Sequence, residues 1–458
     1  MVVSRPSFSR GMTFFCRMLA FALLLACANA QGPPPITLRI AGDEWFLKSL
    51  TETRLIPEFE QKTGAHVEVI FNNDRSTMSD LDQTRDAAAP PYDIIVIRHR
   101  LLGALVAKRE VQPIDPFLVD PVLHDPSFHP DRQLFQNWWT EISSYDGRYY
   151  GFPFTALTTY LCYRKDLIVD PANQRAFHDR YHRDLQPPAT WQEYLDLAEF
   201  FNRPADHFYG TYIQGKRGLA LWYEWLNLIY SFGGNILDTS HGWQYGDIVV
   251  NSPQNVAATE QYLKAVKLSP PDTVNYGWME AQNALQQGHV FMGLLWNDQA
   301  PFLEDPKVSK VAGKIAYALI PSNTGKPFSQ LEGLTWLIVS GSQHLREAYK
   351  FLEWAVSQQV QVAQTLHGSS SVLRTTYDNP AIKALPYTRA FLASLPIDIP
   401  KPTIAESDQM TQAAVQHLAA IVSGTTSPQN GLDALALDLK NILGNKAQLR
   451  YPVRATPQ

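Results

Sequence analysis

Apolar residues change their spacing several times along the chain, and each change marks an element. Ile36 to Ile40 alternates apolar and polar positions and is rich in branched side chains, which predicts a strand. From about Asp43 to Glu60 the apolar residues recur at helical spacing, and Gly64 stands as a C-terminal stop. Val67–Phe71 reads as a second strand, about Ser76 to Ala87 as a polar helix, and Tyr92–Ile97 as a third strand. Strand–helix–strand–helix–strand is the pattern of a parallel sheet with helices on its faces. In such sheets ligands sit beyond the carboxyl ends of the strands. Those ends are Gly42–Trp45, Asn72–Asp74 and Arg98–Arg100.

The middle of the chain is helix-rich. Thr190 and Glu193 form a capping box that predicts a helix to about Phe201. Ser252 followed by Pro253 starts another, with Val256, Ala257, Leu263 and Val266 recurring along it. A third is expected from about Gln343 to Gln359, carried by Leu345, Ala348, Tyr349, Leu352 and Ala355. Val290–Leu295 and Leu334–Val339 read as fully buried strands. No repeat of solenoid length is present.

The first thirty residues stand apart. Arg5, Arg10 and Arg17 precede the apolar run Met18–Ala26, and Ala28-Asn-Ala30 forms a small-residue cleavage site. This is the pattern of a secretory signal peptide. Cys27 offers a competing outcome, a lipid-anchored lipoprotein cleaved one turn earlier. In either case the product is exported, and a periplasmic location is expected. No later apolar run reaches the length of a membrane span. Past the leader only Cys162 remains, in the apolar run Tyr160–Tyr163, and reads as a small buried hydrophobe.

Composition narrows the function. With 45% hydrophobic and 18% charged residues, neither disorder nor a coiled coil is credible. A net charge of −5 argues against a nucleic-acid binder. Phosphate loops, dinucleotide fingerprints and nucleophile elbows are absent from the sequence. His178 and His182 have metal-ligand spacing but lie in a charged stretch that reads as a solvated face. Glu44, Glu224, Glu280 and Glu332 leave room for an acid–base pair, and hence for an exported glycan-cleaving enzyme as a rival.

Aromatic–polar clusters at element ends carry the stronger signal. They are Asp43-Glu44-Trp45, Trp222 to Trp225, Trp296 to Asp298, and Glu332-Gly333. Each joins a flat apolar face to hydrogen-bonding groups, which suits the C–H faces and hydroxyl rim of a sugar. A stacked ring contributes about 1 kcal/mol beyond burial, and a hydrogen bond to a carboxylate about 1.5–3 kcal/mol. A few of each reach the roughly 8 kcal/mol of micromolar binding.

These segments resemble family 1 of the extracellular solute-binding proteins, the sugar-type receptors of bacterial ABC importers. Leu55–Gly64 with Val67–Val69 is similar to the family's first helix and second strand, and Tyr92–Val96 to its third strand. Gly147–Pro153, Tyr163–Leu167 with Pro188–Trp191, Gly233–Leu237, Gly288–Trp296, Glu332-Gly333 and Ala348–Leu352 follow in the family's order. The resemblance spans about residues 36–445.

It implies an α/β fold of the type II periplasmic-binding-protein kind, two α/β lobes joined by three crossovers, with the ligand in the cleft. The crossovers fall near Pro153, Met292 and Val339. That division gives 36–153 plus 292–338 as lobe 1, 154–291 plus 339–445 as lobe 2, and 446–458 as a C-terminal tail. The resemblance implies a ligand set of Glu44, Trp45, Asn73, Asp74, Phe154, Trp222, Glu224, Trp296, Asp298 and Glu332. Glu332 stands where the family often has glycine, and Arg98 departs from the family's usual small or acidic residue. The expected function is a monomeric periplasmic receptor that binds a saccharide or polyol and delivers it to ABC permease subunits. Neither cofactor nor metal is implied, and no nucleic-acid partner. A sensor subunit on the same fold, or a binder of a polyamine, phosphodiester or organic anion, is the alternative; Arg98 is the residue that raises an anionic ligand.

Overall fold

The computed structural model describes Met1 and residues 36–238, 245–326, 328–399 and 403–454. Apart from Met1, the expected signal segment, with Cys27, lies outside the described residues.

Two sheets organise the chain. The first has five strands in the order His66–Phe71, Thr37–Gly42, Ile94–Arg98, Glu332–Ile338 and Gly151–Leu157. Its three leading strands are parallel, as the opening pattern predicts. Glu332–Ile338 then runs antiparallel to both of its neighbours. It is buried at every position, as a strand covered on both faces must be. Trp336 anchors it edge-on between Phe154 (4.9 Å) and Phe351 (5.5 Å). The second sheet is antiparallel and has three strands, Met292–Trp296, Thr159–Arg164 and Ile315–Ala318, in that order.

Local signals in the sequence account for most element ends. Thr190 accepts a hydrogen bond from Glu193 N and the Glu193 carboxylate accepts one from Thr190 N, which starts the helix Trp191–Phe201. Ser252 caps Pro253–Val266. Gly64 takes φ +75°, which ends the helix before it. The helix expected over 43–60 is in fact two, Glu44–Glu52 and Ile56–Thr63. Arg54 has φ +59° between them, and Pro57, which lacks the amide hydrogen a continuing helix needs, opens the second.

The crossovers also differ from expectation. Pro153 lies inside a strand, tolerated because the pairing with Glu332–Ile338 shifts register there. The strand continues to Leu157, and Thr158 alone separates it from Thr159–Arg164 of the second sheet. Met292–Trp296 and Ile315–Ala318 belong to the second sheet, so 292–318 does not group with the first as expected. The chain returns through 319–331. Leu345–Ala355 packs on the first sheet and Gln358–Leu366 on the helix Glu44–Glu52, so residues 345–366 side with the first sheet and not the second. A last passage at Gly368–Leu373 leads back to Thr388–Ser394, which lies on the second sheet.

Asn297 ties these passages together. Its Oδ1 accepts from Thr158 N (2.9 Å), and its Nδ2 donates to Ala156 O (2.9 Å) and Ser370 Oγ (2.6 Å). Ser370 O in turn accepts from Ala156 N (3.1 Å), and the Thr158 and Ser329 hydroxyls bond each other. Nor are residues 446–454, the described part of the expected tail, free. Leu449 bridges Ile248, and Arg450 pairs with Asp238 and Asp247.

Candidate functional site

A crevice runs between the two sheets, bordered by the carboxyl ends of Ile94–Arg98 and Gly151–Leu157 in the first and of Met292–Trp296 in the second. Asp43 caps the helix Glu44–Glu52 by accepting from Trp45 N (3.0 Å), which places Trp45 on its first turn. From there the indole reaches across the crevice. Its Nε1 donates to Asp298 Oδ2 (2.8 Å), and its ring stacks on Phe302 (5.3 Å between centroids).

Behind this contact lies a chamber of about 240 Å³. One wall comes from the first sheet: Asp43, Trp45, Phe46, and Arg98 at the end of its strand. The other comes from the second: Trp296, Asp298, Gln299, and Tyr223, Trp278 and Met279 from the flanking helices. Leu157 and Glu332, directly paired across the crossover strands, close the back. The rings interlock. Tyr223 meets Trp296 edge-on (5.5 Å, 89°) and lies nearly parallel to Trp278 (6.3 Å, 27°).

The polar groups on these walls are held by specific partners. Arg98 Nη1 donates to Asp74 Oδ2 (2.7 Å), its Nη2 lies 3.8 Å from Asp43, and its guanidinium sits over Phe46 (5.5 Å). Burial works against its charge, but Asp74 and the surrounding negative charge more than compensate and hold it firmly protonated. Glu332 Oε1 lies 2.5 Å from His99 Nδ1 and accepts from Gly333 N (3.0 Å), with both side chains of the pair fully buried. Burial, and then the Glu332 charge, push the Tyr223 phenol well above its usual range. Burial pushes Asp298 up to about 6, although the Trp45 hydrogen bond acts the other way. Asp298 Oδ1, Gln299 Oε1 and Trp278 Nε1 are buried with no protein partner.

Of the residues expected to bind ligand, Trp45, Trp296, Asp298 and Glu332 line this chamber. Asp74 stands one step behind, as the partner of Arg98, and Asn73 caps the helix Asp74–Gln83 by accepting from Ser76 N. The other four point elsewhere. Glu44 is exposed on its helix. Phe154 is a core residue against Trp336. Trp222 is buried and stacks on Trp225 (5.8 Å). Glu224 accepts from Gln214 N (2.6 Å) and the Tyr262 hydroxyl (2.5 Å), and burial raises it to about 7. At 100° per residue, only Tyr223 of this run turns to the crevice. Cys162 is buried and its thiol is pushed well up by burial, the reading expected of it. His178 and His182 are exposed, and no cluster of three or more metal-ligating side chains occurs among the described residues.

Residues 48–362 match the family model described as bacterial extracellular solute-binding protein. The chain belongs to that family. Its members are solute-binding proteins, a different class from the glycan-cleaving enzyme weighed as a rival. Among curated relatives of this solute-binding protein, the mannitol-binding protein of Pseudomonas aeruginosa is 28% identical over 273 residues, covering 57% of this chain and 58% of that one. A probable amino-acid ABC transporter periplasmic-binding protein of Sinorhizobium fredii is 23% identical over 267 residues, covering 57% and 59%. The alignment thus spans less than two thirds of either relative. An ABC transporter solute-binding protein from Agrobacterium radiobacter, solved with ribitol, superposes with a TM-score of 0.75 at 23% identity, covering 89% of this chain and 98% of that one. The fold is therefore the α/β periplasmic-binding-protein fold. No helix among the described residues is long and apolar enough to cross a membrane.

Proposed function

We propose that this solute-binding protein is the receptor of an ABC importer, holding a neutral saccharide or polyol in the 240 Å³ chamber and delivering it to the permease outside the cytoplasm. The observation that carries this is the make-up of the chamber. Indole and phenol rings from both walls face one space, and the Asp298 carboxylate, the Gln299 amide and the Arg98 guanidinium belong to residues of the same lining. A polyhydroxylated solute supplies hydroxyls to those groups and C–H faces to the rings. The mannitol-binding relative and the ribitol-bound neighbour support the same class.

The two sheets support a reading as two lobes that meet at Thr158, 319–331 and 368–373. A solute that touches both walls favours the closed arrangement, because only differential contact with the two forms shifts their balance. The leader at 1–30 routes the chain to the periplasm, and intact mass of the exported product distinguishes cleavage after Ala30 from a lipidated Cys27. The close pairing of Arg98 with Asp74, and Asp43 at 3.8 Å, favour a neutral solute over the anionic alternative.

The test is a thermal-shift and tryptophan-fluorescence screen of the purified protein against hexitols, pentitols, monosaccharides, amino acids and sugar phosphates. A ligand at a hundred times its Kd adds about 2.7 kcal/mol to stability. Stabilisation by polyols or sugars is expected. Stabilisation by amino acids or sugar phosphates alone refutes the reading, and so does release of new reducing ends from oligosaccharides.

A further inference from the structure

Three adjoining spaces lie along the crevice. A chamber of about 450 Å³ lies on one side of the 240 Å³ chamber and one of about 770 Å³ on the other. The first shares Trp45, Phe46 and Asp298 with the inner chamber, and the second shares Arg98. Each partition is built from paired side chains. On one side Trp45 donates to Asp298 across the crevice and is backed by the Phe302 ring. On the other the Arg98 guanidinium is fixed by Asp74 (2.7 Å), and Arg100 beyond it is bonded to Asp408 (2.5 Å).

We propose that these two partitions set the length of the solute: the inner chamber takes a single sugar ring or an open-chain polyol, and Trp45 with Asp298 is the end wall that excludes a second glycosidic unit. The inference rests on the saccharide-or-polyol reading and sharpens it. At about 240 Å³ the inner chamber is the smallest of the three, against about 450 and 770 Å³ for its neighbours. A glycosidic chain needs room to run on, and where the inner chamber meets its two neighbours stand the Trp45–Asp298 and Arg98–Asp74 pairs. Of the two walls Trp45–Asp298 is the softer. Trp45 is 38% exposed and is held by one hydrogen bond and one stacking contact, whereas the half-buried Arg98 is held among two carboxylates and two rings. The outer 450 Å³ chamber behind Trp45 carries polar groups of Lys48, Glu52, Thr155 and Asp305, so removing the indole joins two polar-lined spaces into one slot.

Titration calorimetry tests this with D-mannitol, ribitol, D-glucose, maltose and maltotriose against the wild type, Trp45→Ala and Phe302→Ala. The wild type is expected to bind at least one monomeric probe at least a hundredfold more tightly than maltose or maltotriose. In Trp45→Ala the ratio of maltose to monomer affinity is expected to rise at least tenfold. Phe302→Ala, which touches only the backing ring, is expected to raise it in the same direction by a smaller factor. Maltose or maltotriose binding the wild type as tightly as any monomer overturns the length limit and leaves the saccharide reading intact. An unchanged ratio in both variants overturns the role of the Trp45 wall. Failure of every probe, mono- or oligomeric, overturns the underlying reading and the length limit with it.

Discussion

Trp45 and Asp298 meet across the crevice, indole N–H to carboxylate at 2.8 Å, from positions 253 residues apart in sequence. Asp298 is raised by burial to about 6 from an ordinary value of 3.8. Between those values the folded protein therefore holds a proton that the unfolded chain has released, and stability falls as pH rises through that window. The shift amounts to about 2–3 kcal/mol at most. Asp298→Asn keeps an acceptor for Trp45 and removes the titration. Urea unfolding at steps from about pH 3 to about pH 7, which bracket the window, should show a flatter profile for the variant than for the wild type. Parallel profiles would rule the assignment out.

Trp296 and Trp222 were equivalent candidates in the sequence but differ in place. Trp296 lines the chamber edge-on to Tyr223, while Trp222 stacks on Trp225 in the interior. Trp296→Ala is expected to weaken solute binding about tenfold or more, as loss of an aromatic anchor does. Trp222→Phe is expected to lower stability by about 1 kcal/mol or more through lost packing and to leave Kd unchanged. Calorimetric Kd values and melting curves on the two variants separate the roles.

Arg98 holds Asp74, which is buried, and approaches Asp43. Arg98→Met strands these carboxylates and is expected to cost about 3–5 kcal/mol. Adding Asp74→Asn should recover a large part of it. A double-mutant cycle from denaturant midpoints measures the coupling, and additive losses would show that the pair does not act as a unit.

Gly293, in the middle of the strand Met292–Trp296, faces the Tyr212 ring so closely that an added Cβ would lie 2.2 Å from it. Tyr212 is itself fixed by its hydroxyl bond to Leu294 O. Gly293→Ala should destabilise by about 1–3 kcal/mol. Combining it with Tyr212→Ala should return the loss specific to the clash, read as a non-additive change in melting temperature.

The legible parts of the sequence were those whose signal is local. Alternation located the strands, Thr190 with Glu193 and Ser252 with Pro253 located helix starts, and strand ends located Trp45, Trp296, Asp298 and Glu332. Tyr223 was missed because the helix Leu219–Ser231 is buried on nearly every side. With no polar face to break the symmetry, periodicity cannot say which of Trp222, Tyr223, Glu224 and Trp225 meets the crevice. Trp278 was missed because its place depends on how a distant helix docks, although Gly277 and Glu280 mark that helix's start. The crossovers were misplaced because sheet membership is a long-range property. Met292–Trp296 reads equally well as a strand of either sheet, and only its pairing with Thr159–Arg164 decides.

Asn297 fastens Ala156, Thr158 and Ser370 with one side chain, and its neighbours in sequence, Trp296 and Asp298, are both on the chamber wall. Seam and wall are thus adjacent links of one tripeptide, so any displacement of Trp296 or Asp298 bears directly on the bonds that join 156–158 to Ser370, with no intervening helix to absorb it.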